Sequence, residues 1–182
     1  MILQPKQIKL KDGRVAVLRT PEVEDADALL AFITKACGET DFLARYPEEW
    51  AGMPPEREQA WIKSLRASKG DLAIACFIDG KLAGNCEIDF KSGIKMGHRA
   101  SVAIAILQEY WGLGIGSAMF EEMIAAARER GTQILELEFV QGNRRAQALY
   151  EKFGFRIFAE RPNSIRLKDG TLLAEYMMQK YL

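Results

Sequence analysis

The 182-residue sequence predicts an α/β (α+β) fold, a single-domain, mixed and mostly antiparallel sheet flanked by helices. Two observations carry that prediction. Asp12-Gly13, Asp79-Gly80 and Asp169-Gly170 each sit between apolar stretches, and Asp-Gly tolerates the positive φ angles of a tight hairpin turn. The second half of the chain reads strand, glycine-rich turn, helix, strand, helix. No repeat, low-complexity tract or linker interrupts it.

In chain order, the first hairpin spans roughly 6–19. Helices follow Pro21 (EVEDADALLAFITKA) and Pro54-Pro55 (EREQAWIKSLRAS), because proline fits a first helical turn. The second hairpin covers 71–90. Counting back from its turn sets Cys76 opposite residue 83, so Cys76 and Cys86 are out of register. The stretch from His98 to Ile106 is rich in Ala, Val and Ile and reads as a strand buried on both faces. A helix follows the glycines to about Arg130, where Gly131 stops it. In ILELEFV, 134–140, Leu135, Leu137 and Phe139 alternate with Glu136, Glu138 and Val140. NRRAQALYEKF, 143–153, is a helix capped by Asn143 and ended by Gly154, with Ala146, Leu149, Tyr150 and Phe153 on one face. The last hairpin spans 155–181. Its final strand, LLAEYMMQKYL, is apolar enough for a buried strand or for a homodimer interface, and the sequence leaves both open.

Composition excludes several classes. Lys plus Arg and Asp plus Glu each number 25, so no global field draws in nucleic acid or an anionic membrane. No apolar run reaches the roughly 18 residues of a membrane span, and MILQPKQIKLKDGR lacks a signal peptide's apolar core. Three cysteines, an odd count without C-x-x-C spacing, suggest neither a disulfide framework nor a metal site. Reduced thiols in a cytoplasmic protein are expected. His98, the only histidine, lies at the far end of its strand from the glycines and reads as structural.

YWGLGIGSAMF, 110–120, places Gly112, Gly114 and Gly116 at a helix start. The first N–H groups of a helix lack partners and, with the dipole, favour an anion. Glycines let a phosphate approach the main chain. No acidic residue occurs from Gly112 to Phe120, although many helices place one in the first turn. A tight strand-to-helix turn alone would also use these glycines. A P-loop would need Gly-Lys-Ser/Thr where Gly116-Ser117-Ala118 stands. A dinucleotide fingerprint would fit an acidic residue at Glu136 or Glu138, but it normally follows a first strand rather than some hundred residues of hairpins and helices.

Trp111-Gly112-Leu113-Gly114-Ile115-Gly116, with Asn143…Ala146…Leu149-Tyr150-Glu151-Lys152-Phe153-Gly154-Phe155, resembles the GNAT superfamily of acyl-CoA-dependent N-acetyltransferases. That family's motifs are Q/R-x-x-G-x-G/A and a helix N-x-x-A-x-x-L-Y-x-x-x-G-F. The match covers roughly 98–158, the expected cofactor-binding core of an N-acetyltransferase domain at 1–182. Trp111 stands where Gln or Arg is usual, but backbone donors do not depend on that side chain.

The resemblance implies acetyl-CoA as co-substrate, with no metal. Its pyrophosphate would meet the backbone of Gly112, Leu113, Gly114, Ile115, Gly116 and Ser117, and its pantetheine arm that of Ile104, Ala105 and Ile106. Tyr150, a core tyrosine by its helix face alone, would contact the cofactor and protonate the leaving thiolate; a phenol of ordinary pKa about 10 can do so. Asn143 is first a helix cap and second a cofactor contact. Glu138, five residues before Asn143, matches a glutamate that deprotonates the amine in some members; Glu136 on the same strand face would make a paired-carboxylate site or a solvated face with it, and Glu87 or Asp89 are the alternatives. Arg144 and Arg145 oppose the helix dipole, which CoA phosphates would offset. Residues 38–58 and about 160–170 would shape the acceptor site. The implied function is acetyl transfer from acetyl-CoA to a primary amine by direct attack in a ternary complex. The alternatives are a catalytically inactive acyl-CoA-binding or sensor domain and a nicotinamide-dinucleotide oxidoreductase.

Overall fold

A computed structural model describes residues 1–68 and 70–182. All three expected hairpins form: β1 (Lys6–Lys9) with β2 (Val15–Arg19), β3 (Leu72–Ile78) with β4 (Lys81–Phe90), and β7 (Arg156–Arg166) with β8 (Leu172–Tyr181). With β5 (Arg99–Ile106) and β6 (Ile134–Val140) they build one eight-stranded sheet ordered β1-β2-β3-β4-β5-β6-β8-β7. Among the described residues only β5 and β6 run parallel. The apolar C-terminal strand is therefore an internal strand, flanked by β6 and β7.

Helices α1 (Ala26–Glu39) and α2 (Pro55–Ala67) pack on one face, and α3 (Ile115–Glu129) and α4 (Arg144–Lys152) on the other. On that second face Phe120 of α3 lies among Tyr150, Phe153 and Phe155, with ring centroids 5.2–5.8 Å apart. Met119 and Met123 are fully buried beside it. Among the described residues no helix is long and apolar enough to cross a membrane.

Three expectations need correction. The first helix begins at Ala26 after a short 3₁₀ turn, Val23–Asp25, in which the Asp25 carboxylate accepts from the Glu22 N–H. Cys76 faces Gly84 rather than residue 83, because a bulge shifts the β3–β4 register at Cys76/Phe77. Strand β5 is not covered on both sides throughout: Ala100 and Val102 are buried, but Ala103 is exposed and Ile104 to Ile106 are half-buried. The reason is that β6 leaves it. Their pairing stops after Arg99↔Ile134, Ala100↔Leu135 and Ser101↔Glu136.

Candidate active site

Beyond Ser101 and Glu136 the two central strands diverge, and the gap opens into a groove of about 1230 Å³. Backbone groups along a strand edge must find partners, and here the edges facing the gap are free of strand pairing. Arg99 fixes where the split starts. Its guanidinium makes a bidentate contact with Glu136, with Nη2 2.6 Å and Nε 3.1 Å from the carboxylate, and so ties the first rung of the parallel pair to the last. Glu136 is thus committed to holding the strands.

The groove's two ends differ in chemistry. At one end lie Gly112, Gly114, Gly116 and Ser117, with Gly114 left-handed at φ +98° as the N-cap of α3. A side chain at Gly116 would meet Leu149 at 2.9 Å, so that glycine also lets α3 and α4 close together. Neither helix has an acidic residue in its first turn. Lys11, Arg144, Arg145 and Lys152 line this end, and none of them is ion-paired to a carboxylate among the described residues. Lys152 instead donates to the Ser117 hydroxyl at 2.7 Å, and Arg145 stacks 4.8 Å over the Trp111 ring. The Trp111 indole donates to the Ile106 carbonyl at 2.7 Å. The residue that departs from the family motif therefore ties the end of β5 to α4.

Leu113 is the one glycine-turn residue off the groove wall. Its carbonyl accepts from the Lys11 N–H at 3.1 Å, which docks the β1–β2 turn against the glycine turn. Asn143 lines the groove while its side chain accepts from the Ala146 N–H at 3.1 Å as a helix cap. Ile104, Ala105 and Ile106 form the β5 wall. Tyr150 lies where the strands part, 6 % exposed, and desolvation pushes its phenol up to about 12. It stays protonated and able to donate at neutral pH.

At the other end stand Glu138 and Glu175. Register places Glu138 on the α1–α2 side of the sheet, on the face of Ser101 and Glu136, whereas Tyr150 comes from α4 on the opposite side. The gap between β5 and β6 is the passage joining the two sides. Glu87 and Asp89 do not reach the groove. They line a separate recess of about 290 Å³ with Trp61, Ser64, Leu65 and Asp71. The Glu87 carboxyl is pushed up by desolvation in that crowded recess, although its side chain keeps solvent contact. The His98 backbone carbonyl accepts from the Gln133 and Ile134 N–H groups.

Several groove residues were not foreseen. Lys11 comes from the β1–β2 turn, Arg99 from the start of β5 and Glu175 from the interior of β8, while Arg161 on β7 reaches the groove only through its contacts to Glu138 and Glu175. They carry no motif, and only strand register brings them here.

This architecture is found among known proteins. Residues 39–155 match the acetyltransferase (GNAT) family, and the chain belongs to it. It is 37% identical over 78 residues to a candidate [ribosomal protein bS18]-alanine N-acetyltransferase of Bacillus subtilis (strain 168); that match covers 43% of this chain and 49% of the relative. It is 25% identical over 129 residues to the L-amino acid N-acetyltransferase AaaT of Escherichia coli (strain K12), covering 70% of this chain and 79% of the relative. Among solved structures, a GNAT-family acetyltransferase from Streptococcus pneumoniae superposes with a TM-score of 0.85 at 27% identity, over 92% of this chain and 99% of that one. The Salmonella typhimurium protein yncA, solved with its cofactor acetyl-CoA, superposes at 0.78 with 18% identity over 92% and 94%. The protein is an acetyltransferase. Nothing supports a nicotinamide-dinucleotide oxidoreductase.

Proposed function

We propose that the protein moves the acetyl group of acetyl-CoA to a primary amine by direct attack within a ternary complex. The observation that carries this reading is the split between β5 and β6, with a cationic, glycine-lined end on one side and carboxylates on the other. The fit to acetyl-CoA is chemical. Four cations without carboxylate partners and two helix starts without acids suit its phosphates. The free strand edges suit the amides of its pantetheine arm. When bound, it supplies a thioester carbonyl as electrophile.

In this reading Glu138 takes a proton from the acceptor's ammonium, directly or through water, and frees its lone pair. The amine nitrogen then bonds to the thioester carbon, and the C–S bond breaks as the amide forms. Tyr150 gives its proton to the departing sulfur, and the second proton of the attacking nitrogen returns through solvent. The net products are the acetamide, CoA thiol and one proton. No acyl-enzyme is required, which agrees with cysteines that are all buried and free. Desolvation pushes the Cys76 thiol up to about 12, so it is a poor nucleophile. Three free thiols also support a cytoplasmic setting.

The relatives above are named for an alanine of ribosomal protein bS18 and for L-amino acids. Both present an α-amino group, which supports a primary amine as acceptor. The test is thiol release from acetyl-CoA in the presence of amines. Turnover lost in Tyr150→Phe and Glu138→Gln, with acetyl-CoA binding retained, supports the reading. Acetyl-CoA binding with no transfer to any amine would leave the acyl-CoA sensor as the answer.

A further inference from the structure

Two features of the acceptor end, neither required for cofactor binding, narrow the acceptor. The first is a bridge over the groove. The chain leaving α1 lines the groove with Thr40, Phe42, Leu43 and Ala44 and is tied down at three places. The Glu39 carboxylate accepts from the Gln108 N–H at 2.7 Å, just beyond β5. The Phe42 ring lies 3.7 Å from where a Gly142 side chain would begin, just beyond β6. The Tyr46 hydroxyl accepts from the Lys168 N–H at 3.0 Å at the tip of the β7–β8 hairpin. The Lys168 ammonium also sits 4.3 Å over the Tyr46 ring and pairs with Glu48. One segment therefore spans the two diverging strands and clasps the last hairpin.

The second feature is a loosely closed ion pair. Arg161 faces two carboxylates. Its Nη1 donates to Glu175 at 2.9 Å, and Glu175 also accepts from the Ser164 hydroxyl, so the guanidinium is held from that side. Toward Glu138 its Nη2 stops at 3.5 Å, longer than an ordinary hydrogen bond, and both side chains are 50% exposed. Exposed and held loosely on this side, the pair can part to admit a small zwitterion. Its ammonium would meet Glu138 and its carboxylate the spare N–H groups of Arg161, and insertion leaves the local charge unchanged.

We infer that the acceptor is a free α-amino acid, recognised through its carboxylate by Arg161 and enclosed by the 40–48 segment, rather than the N-terminus of a polypeptide. This rests on the acetyltransferase mechanism proposed above. A chain continuing from the acceptor's carboxyl would lose the charge that Arg161 reads and would have to pass the clasp. Arg161 is thus a specificity-determining residue for the reaction.

The test compares three acceptors with the full chain and acetyl-CoA: a panel of free L-amino acids, their amides, and a peptide beginning with alanine. Calorimetric binding of acetyl-CoA is measured alongside. The expected result is that free amino acids exceed their amides in kcat/KM by a factor of roughly 10 to 100, as for a lost charge-assisted hydrogen bond. The peptide is expected to give no transfer. Arg161→Ala erases the preference through KM, and Arg161→Lys restores part of it. A thermal melt checks that each variant is folded. Amides or peptide used as well as free amino acids would overturn the inference, as would acetyl-CoA binding without transfer to any amino acid. Failure to bind acetyl-CoA would instead overturn the function on which it rests.

Discussion

Tyr150 shows how one environment can serve packing and, in the proposed reaction, chemistry together. Its ring packs against Phe120 and Phe139, and the burial that stabilises the helix also keeps the phenol protonated. Replacing it by phenylalanine retains the packing and removes the proton, so kcat should fall by roughly 10²- to 10⁴-fold with the melting temperature nearly unchanged near neutral pH. The native phenol titrates near 12 against an ordinary 10.0, so the folded state keeps a proton that the unfolded state releases. The stability from this group is whole below the ordinary value and is lost as pH rises toward 12. A pH series of melts should show that alkaline loss reduced in Tyr150→Phe. Glu87 gives the carboxylate version. Its raised pKa means that the ionised form is disfavoured in the fold, but Glu87 is exposed and solvent screens the effect, so Glu87→Gln should raise the melting temperature at neutral pH only slightly. The gain should fade as pH falls below the ordinary 4.5, where both states bind the proton. That Tyr150 and Glu138 would share one groove was legible because a motif counts residues along one helix and back to one strand. Arg161 was not, because its partners Glu138 and Glu175 lie 23 and 14 residues away and only register aligns them.

At the scale of elements, the glycine turn and the split between β5 and β6 depend on separate features. Gly114 holds a left-handed conformation at the start of α3, with nothing closer than Lys11 at 4.0 Å. A Cβ there would therefore cost backbone strain rather than collision, about 1–2 kcal/mol. Gly114→Ala should lower the melting temperature by a few degrees, at roughly 2–4 °C per kcal/mol for a chain of this size. It should also weaken acetyl-CoA binding, measured by calorimetry. Legibility at this scale was high for hairpins and helices, whose turn residues and caps are local. It failed for β5, whose Ala-Val-Ile composition suits a covered strand. The sequence of β5 alone carries no sign that β6 departs after three rungs. That divergence depends on where the Arg99–Glu136 clamp ends, a pairing between residues 37 apart.

At the scale of the whole molecule, the groove is polarised from cations at the glycine end to Glu138 and Glu175 at the other. A polyanion held by several exposed cations should bind less tightly as salt screens them, within a Debye length of about 10 Å at 0.1 M. Acetyl-CoA at 100 times its dissociation constant should add about 2.7 kcal/mol of stability. By the same conversion the melt should rise by roughly 5–10 °C. NADH should produce no shift, and raising the salt should shrink the acetyl-CoA shift at fixed ligand concentration.

The sequence by itself determined the element order, the three hairpins, the anion-suited glycine turn and the capped helix that follows the β6 glutamates. Each is a short-range property, set by φ preferences, caps and periodicity within a dozen residues. Only the tertiary structure decided which carboxylates reach the groove. Glu136 is spent on Arg99, Glu87 and Asp89 fall into another recess, and Glu138 remains at the passage with Arg161 beside it. Those assignments follow from sheet order and from the point at which two parallel strands part. The physical reason is that both are set by contacts between residues distant in sequence, so no local pattern carries them.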